Sequence, residues 1–115
     1  MQVNVTLNKD LMRQIIVNSY GRPHELSIDI LDEILRHHSF ELKDDVLHMV
    51  SDEGWLVNYK YFIDKYGFLY PKIRYAMRKL SSYNLIDRKM IMRGGGGSGI
   101  NLKIIFENIK DFISI

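Results

Sequence analysis

The chain has 115 residues and a mass of 13.6 kDa, the length of one domain, and its 46% hydrophobic and 26% charged residues suit a packed core, not a disordered tail. Cysteine is absent, which excludes a disulfide framework, a thiolate metal site and a cysteine nucleophile, and is compatible with a reducing cytosol. The net charge of +2 conceals an asymmetry: residues 1–54 hold 5 Lys+Arg against 10 Asp+Glu, a net of −5, and residues 55–115 hold 11 against 4, a net of +7. Such polarity points to a polyanion-binding surface on one side of the molecule, the alternative being chance clustering on solvated faces. No apolar run approaches the roughly 18 residues of a membrane span, and Met1 to Lys9 lacks the basic and apolar regions of a secretory signal. A cytoplasmic protein without membrane contact is the expectation.

Met1 to Leu7 alternates loosely, with Val3, Val5 and Leu7 on one side, as in a short edge strand or an ordered arm. Asn8 is placed to cap a first helix by accepting from the free amides of its first turn. Leu11, Met12, Ile15 and Ile16 recur at helical spacing, and Gly21 followed by Pro23 ends that helix. Ser27 reads as the cap of a second helix, with Ile28, Leu31 and Leu35 on its inner face. Asp29 in its first turn is favoured by the positive end of the helix dipole. A third helix is expected after Phe40, from Leu42, Val46, Met49 and Val50 at i, i+4, i+7 and i+8, and Asp52-Glu53-Gly54 forms a turn behind it.

Trp55-Leu56-Val57 is an apolar run of strand length. Asn58 caps the next helix, whose buried stripe is Tyr59, Phe62, Ile63 and Tyr66, and Gly67 ends it where a positive φ is needed. Pro71 suits the first turn of a further helix reaching about Ser82, because its missing N–H would have had no partner there. Asn84 is, after glycine, the residue that best tolerates a left-handed turn. Ile86 to Arg93 and Ile100 to Phe106 both alternate, the latter with Leu102, Ile104 and Phe106 on one face. Between them Gly94 to Gly99 has the composition of a linker, whether artificial or natural. Alternation on both sides favours one β-hairpin, and Ile109, Phe112 and Ile113 then close the chain on a short helix.

From Trp55 the order is strand, helix, glycine turn, helix, hairpin. Gly67-Phe68-Leu69-Tyr70-Pro71-Lys72-Ile73 carries the turn, with Met77 and Leu80 following Ile73 at i+4 and i+7, and Asn84-Leu85-Ile86 leads into the hairpin. The stretch from Leu47 (Leu-His-Met-Val-Ser-Asp-Glu-Gly-Trp) to Phe106, about half the chain, resembles the winged-helix DNA-binding domains. Within them it is most similar to those of phage- and plasmid-borne replication or regulatory proteins. Asn84 stands where that group usually carries glycine, and the first 40 residues match no motif of the group. The resemblance implies an α+β, mostly helical fold. Residues 1–54 would form an acidic helical part, 55–106 the helix-turn-helix and wing, and 107–115 a terminal helix.

Stepping about 100° per residue from Ile73 puts Ala76, Met77 and Leu80 on the inner face of the second helix of the pair. Tyr75, Arg78 and Ser82 then point outward, with Arg74 and Lys79 on the flanks and Tyr70 and Lys72 in the first turn. Arginine can bridge the O6 and N7 edge of guanine, and lysine or serine can hold phosphate. The hairpin adds Arg88, Lys89, Arg93 and Lys103, where a wing would meet the backbone or the minor groove. The expected function is sequence-specific binding of double-stranded DNA, in replication initiation or transcriptional control of a mobile element. The competing reading is a winged-helix protein-interaction module, with the acidic N-terminal helices as partner surface.

A homodimer on a palindromic site is also expected, with the N-terminal helices and Ile109, Phe112 and Ile113 as candidate surfaces. No enzyme, cofactor or metal is expected. His37 and His38 are adjacent and point about 100° apart on a helix, and His38 reads as a hydrogen-bonded core edge. Glu33, Glu41, Asp44 and Asp45 have no catalytic spacing and read as a solvated acidic face.

Overall fold

The computed structural model describes residues 1–22, 24–51, 53–92 and 98–115. Two short strands, β1 (Gln2–Val3) and β2 (Thr6–Leu7), precede the helices α1 (Lys9–Tyr20) and α2 (Glu25–Arg36). A hairpin follows, β3 (Phe40–Lys43) and β4 (Val46–Met49), then β5 (Trp55–Val57), α3 (Tyr59–Tyr66) and α4 (Tyr70–Ser82). A longer hairpin, β6 (Ile86–Met92) and β7 (Ser98–Ile104), leads to α5 (Phe106–Ile109), a 3₁₀ turn (Lys110–Phe112) and β8 (Ile113–Ser114). The fold is α+β, with five α-helices and three small antiparallel sheets among the described residues, ordered β1-β3-β4, β2-β8 and β5-β7-β6.

Local chemistry accounts for most boundaries. Asn8 Oδ1 accepts from Leu11 N at 3.0 Å and Asn58 Oδ1 from Tyr61 N at 3.1 Å, so each supplies an acceptor to a first turn that otherwise has none. Gly67, at φ 73°, ends α3 in the left-handed region, Pro71 lies in the first turn of α4, and Asn84 takes φ 58° between α4 and β6. Gly54 is required by both conformation and space. Its φ is 82°, and a Cβ there would lie 2.8 Å from Asn101 Nδ2 and 3.0 Å from the Leu102 carbonyl oxygen. The turn before Trp55 therefore packs directly on β7, where Asn101 Nδ2 donates to the Glu53 carbonyl at 3.2 Å.

Three expectations are corrected. The third helix is the β3–β4 hairpin. Asp44 and Asp45 both take positive φ, 54° and 60°, the geometry of a two-residue hairpin turn whose twist matches the strands. The register Phe40↔Met49 and Leu42↔Leu47 then gathers the apolar residues on one face by period two, which outcompetes the helical spacing. Secondly, α2 is capped by His24, whose Nδ1 accepts from Ser27 N at 3.3 Å. Ser27 is fully buried, and its Oγ instead donates to the Ala76 carbonyl on α4 at 3.1 Å. Thirdly, the terminal helix is confined to α5 and the 3₁₀ turn, because Ile113 pairs with Leu7 as a strand. The N-terminal arm is thus tied at both ends, to β3 through β1 and to the C-terminus through β2.

α2 is the centre of the molecule. Ile28, Ile30, Leu31, Ile34 and Leu35 are at most 2% exposed, so apolar side chains surround most of its circumference. A single apolar cluster joins them to Met12 and Ile16 of α1, Phe62 of α3, Ile73, Met77 and Leu80 of α4, and Ile100, Leu102 and Ile104 of β7. Ile109 and Phe112 belong to the same cluster and are buried, so they cannot form the pairing surface expected of them. Among the described residues no helix is long and apolar enough to cross a membrane.

Candidate nucleic-acid interface

Polar contacts from α2 set the pose of α3 and α4. Glu33, expected on a solvated face, is buried. It takes Lys65 Nζ at 2.9 Å, the Tyr61 hydroxyl at 3.0 Å and His37 Nε2 at 3.2 Å. Burial pushes the carboxyl pKa up, but the hydrogen bonds from Lys65, Tyr61 and His37 outweigh it and hold Glu33 below the usual carboxylate range. The His37 ring stacks on Trp55 at 3.7 Å and an interplanar angle of 2°. Tyr66 donates its hydroxyl proton to the Asp29 carbonyl at 3.1 Å, and burial first, with Glu33, Asp29 and Asp32 adding to it, raises its pKa. On the far side, His38 Nδ1 meets the Ile34 carbonyl at 2.8 Å and its Nε2 accepts from Ile104 N at 3.4 Å, which fastens β7 to the end of α2.

With Ile73, Ala76, Met77 and Leu80 all fully buried, α4 turns its opposite face to solvent. Arg78, Tyr75 and Ser82 lie at the middle of that face and are exposed; the Ser82 Oγ donates to the Lys79 carbonyl at 2.7 Å. Lys72 and Lys79 form one flank. Lys72 Nζ sits 3.8 Å over the Phe68 ring and Lys79 Nζ 5.4 Å over the Tyr75 ring, contacts that splay the two ammonium groups along the face. Arg74 and Tyr70 form the other flank, towards the hairpin.

The register of the β5-β7-β6 sheet divides the hairpin cations. Arg88 pairs with Leu102 and so shares the face that looks towards the helices, whereas Lys89 pairs with Asn101 and Lys103 with Asp87 on the opposite face. The sequence grouped these residues as one rim; the structure places Arg88 beside α4 and sends Lys89 and Lys103 to the back of the hairpin. Arg93 lies outside the described residues, as does the loop from 94 to 97.

Ion pairing separates two groups of cations. Lys9, Arg13, Arg36, Lys60, Lys65 and Lys110 each hold a carboxylate at 2.7–3.2 Å. Among the described residues, none of Lys72, Arg74, Arg78, Lys79, Arg88 and Lys89 pairs with one. The sequence signal lies between Lys65 and Ile86, where there are four Lys+Arg and no Asp or Glu.

Two aromatic neighbours were not legible in the sequence. His24, at the cap of α2, packs edge-on against Tyr75 with ring centroids 5.1 Å apart. Burial first, then the charges of Lys72 and Lys79, lower its pKa, so this flank carries a neutral imidazole. Tyr59, assigned from its spacing to the core stripe, is only half-buried and packs edge-on against Tyr70 at 4.8 Å. Both contacts join residues from different elements, and neither follows from local spacing. Among the described residues, no three His, Asp or Glu side chains converge on a point where a metal could be held. Compared with protein-family models, curated proteins and solved structures, the chain matches none of them.

Proposed function

We propose that residues 55–106 are a helix-turn-helix with a wing and that the chain binds double-stranded DNA through α4 and the β6–β7 hairpin. The biological role proposed is replication initiation or transcriptional control in a mobile element. The observation that carries the binding reading is the set of cations on α4 and β6 that, among the described residues, lack a carboxylate partner, in a molecule that pairs most of its others. Cations without a carboxylate partner gain no ion pair in the folded chain, and their mutual repulsion opposes folding. A polyanion removes that repulsion and releases its own counterions on binding.

The strand order β5-β7-β6, enclosing α3 and α4 between β5 and the hairpin, supports the same reading. In it, α4 enters the major groove, which is about 12 Å wide and admits one helix. Arg74 and Arg78 reach base edges, Lys72, Lys79, Ser82, Tyr70 and Tyr75 face the backbone, and Arg88 with Lys89, Arg93 and Lys103 contacts the flanking duplex. Selection of bound sites from a random duplex pool tests the reading. An enriched motif is expected, and a pool unchanged after repeated rounds would favour a protein-interaction module instead.

A further inference from the structure

We propose that Leu69, at the entry to α4, reads the C5-methyl group of one thymine and so makes the site select thymine at that position. The inference rests on the nucleic-acid reading above and adds to it a specificity-determining residue that carries no charge. Phe68, Leu69 and Tyr70 follow one another where α3 gives way to α4, and are 37%, 79% and 40% exposed. Apart from Met1, Leu69 is the most exposed large apolar residue among those described, and it takes no part in the apolar cluster. Single exposed apolar residues are common on protein surfaces, but three in a row serve neither folding nor solubility.

The cap position makes the choice of leucine informative. An N-cap favours a side chain that accepts from the first turn, and leucine is among the poorest residues there. The chain follows that preference at its other long helices, where Asn8, His24 and Asn58 each accept from a first-turn amide of α1, α2 and α3. At α4 the cap is Leu69, with φ −72° and ψ 160° and no side-chain hydrogen bond. That backbone is extended like the one at Asn58, φ −107° and ψ 162°, so asparagine would fit. Stability of the fold does not account for the leucine; a contact outside the chain does.

The surroundings select the occupant. Lys72 Nζ sits 3.8 Å over the Phe68 ring, which sets an ammonium group beside the apolar tip. From Tyr66 to Leu85 there are four Lys+Arg and no Asp or Glu. The occupant is thus an anion that also offers an apolar group. Duplex DNA is one, because thymine sets its C5-methyl in the major groove between two rims of phosphate. The N-terminal residues of a reading helix are those that reach base edges. Uracil lacks the methyl group, and the deep, narrow major groove of an RNA duplex shuts side chains out.

In the site selected from a random pool, deoxyuridine replaces thymidine one position at a time, which removes one methyl group and no hydrogen bond. At one position the wild-type chain is expected to bind about fourfold more weakly, the worth of one buried methyl group. Leu69→Asn is expected to be indifferent to that exchange and to keep the slope of log affinity against log salt, because no phosphate contact is lost. It is also expected to melt about 3–6 °C higher, because α4 gains a cap. A selected site without thymine, an exchange that costs both chains alike, or no exchange that costs the wild type anything overturns the inference and leaves duplex binding standing. A lower melting midpoint in Leu69→Asn would mean that Leu69 serves the fold, and overturns it too. If the wild-type chain binds no duplex at any salt, the nucleic-acid reading itself fails, and this inference with it.

Discussion

Arg78→Ala isolates recognition from stability. The side chain is exposed at the middle of the outer face of α4 and, among the described residues, pairs with no carboxylate. Removing it therefore breaks no ion pair or side-chain hydrogen bond among the described residues, and the thermal midpoint is expected to stay put. An exposed substitution away from packing changes stability by less than about 0.5 kcal/mol. On a preferred duplex the same change removes a contact to a base edge, at about 1–3 kcal/mol, or roughly 5- to 150-fold in affinity, with relaxed preference at that base pair. Arg74→Ala is expected to behave likewise. Lys43→Ala, at the exposed end of β3 in the acidic half, should leave affinity unchanged, and so should Lys9→Ala, which loosens ion pairs to Asp29 and Asp32. Fluorescence anisotropy on a selected duplex at fixed salt, paired with thermal melting, separates the two effects. Full affinity in both arginine variants would mean that α4 is not the reading helix.

Three further outcomes follow from the same structure. Gly54→Ala must strain a backbone at φ 82° and crowd Asn101 and the Leu102 carbonyl, so melting should show a loss of about 1–3 kcal/mol. Burial lowers the pKa of both His24 and His38 in the folded chain, so below about pH 6.5 the unfolded chain binds more protons and stability falls with pH until the folded imidazoles also titrate. Denaturant melts from pH 7 to pH 5 should show that decline, and His24→Asn, which keeps a capping acceptor, should shrink it. Ser98 and Gly99, expected in the loop, belong to β7; replacing residues 94–97 by another flexible four-residue segment should therefore leave fold and affinity close to unchanged, whereas Lys89→Ala with Arg93→Ala should weaken binding almost equally on all sequences. A harmless double variant beside a damaging loop exchange would reverse that assignment.

What the sequence made legible was local. Asn8, Asn58, Gly67, Pro71 and Asn84 each mark a helix end through their own backbone preference or side-chain acceptor, and all five stand where that chemistry puts them. The β6–β7 hairpin was legible because period-two alternation runs on both sides of the glycines. The β3–β4 hairpin was missed because Leu42, Val46, Met49 and Val50 also satisfy a helical period. The deciding signal was the Asp44-Asp45 turn, a pair less diagnostic than Asn-Gly. Ser27 and Glu33 were misread for a different reason. Each spends its polar group on a partner far away in sequence, Ala76 for one and Tyr61 with Lys65 for the other, which no local pattern records. The candidate interface shows the same division. The exposed face of α4 follows from a helical wheel, but the split of Arg88 from Lys89 and Lys103 needs the register of β6 on β7, and the Tyr59–Tyr70 contact needs α3 and α4 both in place.

The central claim is that the cations of α4 and β6, which pair with no carboxylate among the described residues, serve a polyanion. Its most direct test is the affinity for a short duplex measured across salt concentrations. With roughly four to six phosphate contacts, log affinity should fall against log salt with a slope of about −4 to −5. An affinity that does not change with salt, or no binding at low salt, would contradict it.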